Sequence, residues 1–214
     1  MNSLTITGII TEGAVTGLKN AASLCAALFL WVITIWVPYI NVGTTIGMVN
    51  LVANMGKGII MAPTDIFKAE YRKYMGEFFL LVAFAGSGIF AGFLFFIIPG
   101  IVIATAWGQS VYLMFDKELG PLEAIKESNR ITYGNKWTIF LGLLTLSLIF
   151  SVISAVLVSL LDAILPQLKE FAGFIVGLFG AVAGLGARAY IYGTLTGQYK
   201  AADVNAVGQT FETE

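Results

Sequence analysis

An all-α, polytopic integral membrane protein is what this sequence predicts, and three observations carry the prediction. Of 214 residues, 57% are hydrophobic and only 12% charged, the latter about half the share of a soluble domain. Mean hydropathy is +0.85. A soluble globule of this size buries only about two-thirds to three-quarters of the surface its unfolded chain exposes, too little to hide so much apolar area. Finally, the few charges are spaced to leave long uncharged windows: residues 20–56, 78–115, 137–161 and 171–187.

The first two windows hold 37 and 38 residues. A straight helix of that length would reach roughly 55 Å, nearly twice a hydrocarbon core of about 30 Å. Each is therefore expected to fold back as a hairpin. The breakers are Val37-Pro38-Tyr39-Ile40-Asn41-Val42-Gly43 and Ile98-Pro99-Gly100, since proline removes a helix hydrogen bond and glycine relieves the backbone. A proline kink in one long helix is the alternative for the second window.

About six transmembrane helices follow, near 20–38, 43–62, 78–98, 101–115, 137–161 and 171–195, in one membrane domain of residues 1–200. The second carries Thr44, Thr45, Asn50 and Asn54 and also suits the interface or a polar interior. The fourth is short for a span. Residues 201–214 are polar and acidic and are expected to form a disordered cytoplasmic tail.

Positive charge orients the layout. With both termini inside, the cytoplasmic side receives Lys19, Lys57, Lys68, Arg72, Lys73, Lys117, Lys126, Arg130, Lys136 and Lys200, ten of the twelve basic residues. Such asymmetry predicts a multi-pass protein with N and C termini in the cytoplasm. No cleavable leader is expected, because the first 18 residues contain Glu12, no basic residue and no compact apolar core. Cys25 reads as a small buried hydrophobe.

Two cytoplasmic segments read as amphipathic interfacial helices. In residues 63–78, Ile66, Phe67, Tyr71, Tyr74, Met75 and Phe78 recur at helical spacing, opposite Lys68, Glu70, Arg72, Lys73 and Glu77. In residues 116–137, Gly120-Pro121 opens a helix and Gly134 closes it, with Leu122, Ile125, Asn129 and Tyr133 as a modest membrane-facing stripe. Lys68, Arg72, Lys73, Lys126 and Arg130 are then candidate contacts for anionic lipid or a partner. Solvated helical linkers are the simpler reading.

Here the sequence resembles a known family. Ile98-Pro99-Gly100-Ile101, a short span, an acidic turn, Pro121-Leu122-Glu123-Ala124-Ile125-Lys126-Glu127-Ser128 and Tyr133-Gly134-Asn135-Lys136-Trp137 with Phe140 resemble the membrane domain beside some bacterial glycerophosphodiester phosphodiesterases. Related stand-alone six-span proteins of unassigned function share the pattern. The motifs cover residues 98–140, and the hydropathy layout agrees over about 15–200. The resemblance implies a six-helix bacterial inner-membrane fold with cytoplasmic termini. It implies no catalytic residues, because the hydrolase of the fused proteins is a separate domain.

In the last span Gly173, Gly177, Gly180 and Gly184 fall at steps of four, three and four and form a candidate helix-packing groove. Packing within the chain, with another copy or with another subunit are the readings of that groove, and a solute passage is a minor one. Arg188 lies within the same span. A charge there costs several kcal/mol unless paired, snorkelled or wet. The simpler reading has it snorkel to a lipid phosphate or pair with Glu123 or Glu127; the functional one has it bind an anionic headgroup or substrate in a pocket. Gln109 and Ser110 in the fourth span suit interhelical hydrogen bonds or a small cavity.

The function classes narrow by exclusion. There is no histidine, one cysteine and a net charge of −1. His-based metal sites and nucleophile pairs, intramolecular disulfides and a broad basic field for nucleic acid are all absent. No catalytic constellation, cofactor or metal site is expected. The expectation is a non-enzymatic structural, accessory or lipid-organising subunit, with membrane lipids and either a homo-oligomer or a membrane-protein partner as its company. The alternative is a small-solute or lipid transporter or channel formed by a homo-oligomer. A continuous hydrated cavity reaching Arg188, Gln109 or Asn50 would favour the transporter or channel, and a dry core the accessory reading.

Overall fold

The computed structural model describes residues 3–200, and these are helical without a strand. Four stretches are long and apolar enough to cross a membrane: Ala69–Phe95, Ile97–Asp116, Lys136–Asp162 and Pro166–Leu195. A fifth is added if the bent pair Ile6–Lys19 and Ala21–Thr34 counts as one span.

Helix α1 (Ile6–Lys19) starts where the Thr5 side chain accepts from the Gly8 N–H at 3.0 Å. Its buried residues Ile9, Gly13, Thr16 and Gly17 lie on one face. After a 76° bend comes α2 (Ala21–Thr34). At the bend, buried Asn20 donates to the Thr16 carbonyl at 2.8 Å. Pro38 opens α3 (Pro38–Gly56) at a position where its missing N–H costs nothing. α2 and α3 form a hairpin stitched by Trp31 Nε1 donating to Thr45 Oγ1 (2.9 Å) and by Thr34 against Thr44 (2.8 Å).

These elements revise the expected first two spans. α2 has 14 residues, roughly 21 Å and short of the hydrocarbon core. α3 is largely enclosed: Gly43, Thr44, Gly47, Leu51 and Met55 are all buried, while Thr45, Asn50 and Asn54 are half-buried. α1 was not expected as an element at all. Its signal is Gly13-xxx-Gly17, which lets the chain lie against the last helix, α9 (Lys169–Leu195). A Cβ on Gly13 would sit 2.6 Å from the Ala187 Cα, and Gly186 faces Gly13 and Gly17 in return.

Residues 63–78 are not one amphipathic helix. They form two short 3-10 turns, Pro63–Phe67 and Ala69–Tyr74, parted by Lys68 in an extended conformation (ψ 129). Packing explains the break. Ile66 is fully buried against Gly47, where a Cβ would lie 2.6 Å from the Ile66 Cα. Tyr71 is buried and its hydroxyl accepts from Asn50 Nδ2 at 3.0 Å. Local helical periodicity yields to these contacts with α3.

α4 (Met75–Phe95) and α5 (Ile97–Trp107) form the second hairpin, turning at Phe96, where the backbone is extended. Gly92 faces Gly100 and Gly88 faces the Trp107 ring, so the two helices run back on each other. The turn precedes Pro99, which sits in the first turn of α5, where proline is tolerated. α6 (Ser110–Asp116) continues α5 after a break at Gly108-Gln109. α7 (Pro121–Ile131) follows, with Glu123 accepting from the Gly120 N–H at 3.4 Å and Gly134 in a left-handed conformation (φ +81) just after it. α8 (Lys136–Ile164) and α9, joined through the 3-10 turn Pro166–Leu168, complete the fold.

Apolar residues of α4 and α8 point outward: Phe79, Phe84, Phe90, Leu94, Leu148, Val152 and Val156 are all exposed. Contiguous apolar surface on this scale suits lipid and not water.

Replacing Gly13 or Gly186 with leucine is expected to cost about 3 kcal/mol, because backbone blocks the new side chain. Nothing lies within 4 Å of a Cβ on Gly177, so Gly177→Leu should stay within about 0.5 kcal/mol. Thermal unfolding in detergent followed by circular dichroism checks this; equal losses at the three positions would contradict it.

Candidate functional site

The site grows from the point where α6 and α9 run side by side. Tyr112 and Asp116 stand one turn apart on α6, and Arg188 and Tyr192 one turn apart on α9. Tyr192 donates to Asp116 Oδ2 at 2.5 Å. The Tyr112 and Tyr192 rings lie 5.4 Å apart, and Tyr112 and Arg188 line the same hollows. Asp116 is also ion-paired with Lys57, just beyond α3. The Asp116 side chain is only 6% exposed, a setting in which a lone carboxylate would be costly. The ammonium and the phenol together compensate it.

A second support comes from α7. The break between α5 and α6 frees the Ala106 carbonyl and the Gln109 N–H. An unpaired backbone group at membrane depth costs several kcal/mol. Ser128 answers both, donating to Ala106 O at 2.6 Å and accepting from Gln109 N–H at 3.1 Å. The Thr132 hydroxyl lies 3.3 Å from the same carbonyl. Both side chains are fully buried. The buried face of α7 is therefore Ala124, Ile125, Ser128 and Thr132. Of the expected stripe, Leu122 and Tyr133 are exposed and Ile125 is buried against the protein.

With its backbone fixed, Gln109 places a carboxamide at the wall of a cavity. The residue is 5% exposed, and its Oε1 has no hydrogen-bond partner among the described residues. The cavity, about 440 Å³, is also lined by Thr105, Gly108, Tyr112, Ser147 and Arg188. A groove of about 690 Å³ between α8 and α9 is lined by Ser147, Ser151, Ser154, Gly177, Gly180, Gly184 and Arg188. A third hollow, about 420 Å³, is bounded by Trp31, Thr45, Tyr112, Gly184 and Arg188. Arg188 belongs to all three. Its chain neighbours Ala187 and Ala189 are fully buried while Arg188 itself is exposed.

No carboxylate lies within ion-pair distance of Arg188 among the described residues. The expected pairing with Glu123 or Glu127 is not made. Glu127 accepts two 2.6 Å bonds from Arg130, with Lys117 at 3.7 Å. Those cations, the Arg130 hydrogen bond foremost, hold the Glu127 carboxyl below its usual range. The pair thus adds stability above the ordinary carboxylate range and loses it as pH falls through the lowered value. Arg188 and Gln109 each lie seven residues from a helix end, Leu195 and Asp116, so both sit about 10 Å inside.

The remaining sequence-predicted residues are scattered around this centre. Lys68 is paired with Asp65 at 3.2 Å. The Arg72 stem packs on Gly43. Lys73 lines a small polar hollow with Asn50, Glu70, Tyr71 and Glu118. Lys126 is exposed, and Arg130 is engaged by Glu127. Of the glycine stripe, a Cβ on Gly173 would lie 3.3 Å from Val158 and one on Gly180 3.3 Å from Phe150, whereas one on Gly177 or Gly184 would meet nothing within 4 Å. Within the chain that stripe lines a groove, and the tight backbone contacts of α9 lie at Gly186 and Gly193 instead. The expected tail, 201–214, lies outside the described residues.

Tyr112, Ser128 and the Lys57–Asp116–Tyr192 cluster were missed by sequence reasoning. The one available signal was the four-residue spacing of Tyr112 to Asp116 and of Arg188 to Tyr192. Among the described residues no group of three His, Cys, Asp or Glu side chains is placed to hold a metal ion. Comparison with protein-family models, curated proteins and solved structures finds no match to this chain.

Two substitutions test the supports. Asp116→Asn should cost roughly 2 kcal/mol, below the 3–5 of a fully buried pair because the Lys57 side chain is 25% exposed. Ser128→Ala should cost about 2 kcal/mol by orphaning the Gln109 N–H and leaving the Ala106 carbonyl only the longer Thr132 bond. Unchanged melting temperatures would contradict both.

Proposed function

We propose that this chain is a non-enzymatic, lipid-organising protein of the bacterial inner membrane that holds an anionic amphiphile at Arg188. The observation that carries the reading is an arginine with no carboxylate partner among the described residues, where three cavities meet. An unneutralised arginine at the centre of a span costs about 2.5–3.5 kcal/mol. A phosphate brought to it removes that cost, and the groove beside it receives an acyl chain. From Gly177 to Arg188 the groove follows eleven residues of α9, roughly 16 Å and close to one leaflet of the hydrocarbon core.

In this reading the α2–α3 hairpin supplies the first two of six membrane-embedded segments, and both termini are cytoplasmic. The meeting of Lys57, Asp116 and Tyr192, near the C-terminal ends of α3, α6 and α9, supports that topology, since all three ends fall on the side to which the basic residues are assigned. Lys126 and the Lys68–Lys73 segment then face anionic headgroups. The resemblance of residues 98–140 to the membrane domain of the phosphodiesterase fusions is in keeping with a role at the lipid interface. A homo-oligomeric transporter is the second reading, favoured by the same meeting of cavities; solute flux into vesicles at rates scaling with protein would select it.

Electron spin resonance of spin-labelled lipid in vesicles tests the proposal. Arg188→Gln should lower the preference for anionic over neutral lipid about fivefold, the worth of one charge, with little dependence on salt because a charge about 10 Å inside a span lies away from mobile ions. Neutralising Lys68, Arg72 and Lys73 should lower it in a strongly salt-dependent way. Gly184→Leu should weaken anionic binding without loss of thermal stability, since nothing blocks the new side chain. An Arg188→Gln protein with unchanged lipid preference would overturn the proposal.

A further inference from the structure

Anionic charge alone leaves one group at the site unexplained. Gln109 lines the same cavity as Arg188 and Tyr112, is 5% exposed, and its Oε1 is buried without a partner. The other polar groups nearby have bonds of their own: Thr105 Oγ1 donates to Ile101 O at 2.8 Å, and Ser147 Oγ to Leu144 O at 2.8 Å. Arg188 supplies donors only, and none of them reaches the Gln109 oxygen, which has no partner among the described residues. The terminal torsion of a glutamine is broad and roughly two-fold, so its carboxamide can turn Oε1 or its NH2 group to the cavity. A ligand that satisfies the site must accept from Arg188 and donate to Gln109.

Two headgroup chemistries offer a donor next to a phosphate, an ammonium and a hydroxyl. An ammonium would stand beside the Arg188 guanidinium with no carboxylate to balance it, since Asp116 is committed to Lys57 and Tyr192 and Glu127 to Arg130. Like charges so placed repel. A hydroxyl carries no such penalty.

We infer that Gln109 is a specificity-determining residue that makes the site select anionic phosphate esters bearing a free hydroxyl over equally charged esters without one. This rests on the proposed anionic-amphiphile reading and adds the identity of the headgroup to it.

The probes are phosphatidylglycerol and phosphatidylmethanol with identical acyl chains, which share one negative charge and differ in the headgroup hydroxyls. Each is titrated into the full chain in neutral detergent, and the rise in melting temperature gives the apparent affinity. Wild type should favour phosphatidylglycerol about fivefold, the worth of one net hydrogen bond. Gln109→Met keeps the side-chain length and removes the carboxamide. It should bind both lipids equally and as tightly as wild type binds phosphatidylmethanol. Arg188→Gln should weaken both lipids together.

A wild type that does not discriminate, or a Gln109→Met protein that keeps the preference, overturns the inference and leaves the Arg188 reading intact. If Arg188→Gln binds both lipids as wild type does, the anionic-amphiphile reading itself fails. The melting temperature of ligand-free Gln109→Met separates specificity from folding. A value at or above wild type is expected, because a buried unpaired acceptor has been removed, and a large drop would assign Gln109 a structural role and overturn the inference.

Discussion

The site depends on where one buried carboxylate spends its charge. Asp116 ends α6 and is taken by Lys57 and by the Tyr192 hydroxyl. That cluster joins α3, α6 and α9 at a single point. It also withholds from Arg188 the carboxylate carried by the adjoining helix. The Tyr192 ring lies 5.4 Å from that of Tyr112, and Tyr112 lines the same cavity as Arg188, so the cluster that absorbs the Asp116 charge sits beside the arginine. A carboxylate one turn deeper, at position 112, would neutralise Arg188 and leave no cationic site.

Backbone economy shapes the rest. In apolar surroundings each peptide group needs a partner, and α5 cannot break before α6 without one. Ser128 and Thr132 of α7 provide it, which is why a short polar helix outside the spans is tied to their interior. α1 is held by a different device. It has little area to bury, and glycines on both sides let it approach α9 at backbone distance, where dispersion contacts are dense. The α8–α9 pair uses small residues to the opposite effect. Around Gly177 and Gly184 no side chain fills the space, and a groove results.

Much of the architecture was legible in the sequence because apolar windows and hairpin breakers act locally. The uncharged run at 137–161 became α8, and Pro99 lies beside the turn at Phe96. Gln109 and Arg188 stood out as polar groups in apolar surroundings, and the structure brings them to one cavity. What could not be read was set by contacts distant in sequence. The periodicity at 63–78 is helical, yet Ile66 and Tyr71 are held by Gly47 and Asn50 of α3. The glycine stripe of α9 has the spacing of a packing face, but spacing does not say which partner arrives; at Gly180 it is Phe150 of α8, and at Gly184 none among the described residues. The Glu127–Arg130 pair, by contrast, is legible in its three-residue spacing and needs no long-range alignment.

A cation in apolar surroundings, a groove about one leaflet deep and a carboxylate network that leaves the cation unpaired together describe a receptor for an amphiphile. Mass spectrometry of the intact protein, released from its own membrane in a polymer that retains surrounding lipid, tests that description most directly. The prediction is one anionic amphiphile per chain that survives activation after the other lipids have been stripped. Anionic and neutral lipids lost together, or a chain that keeps a second protein and no lipid, would contradict it.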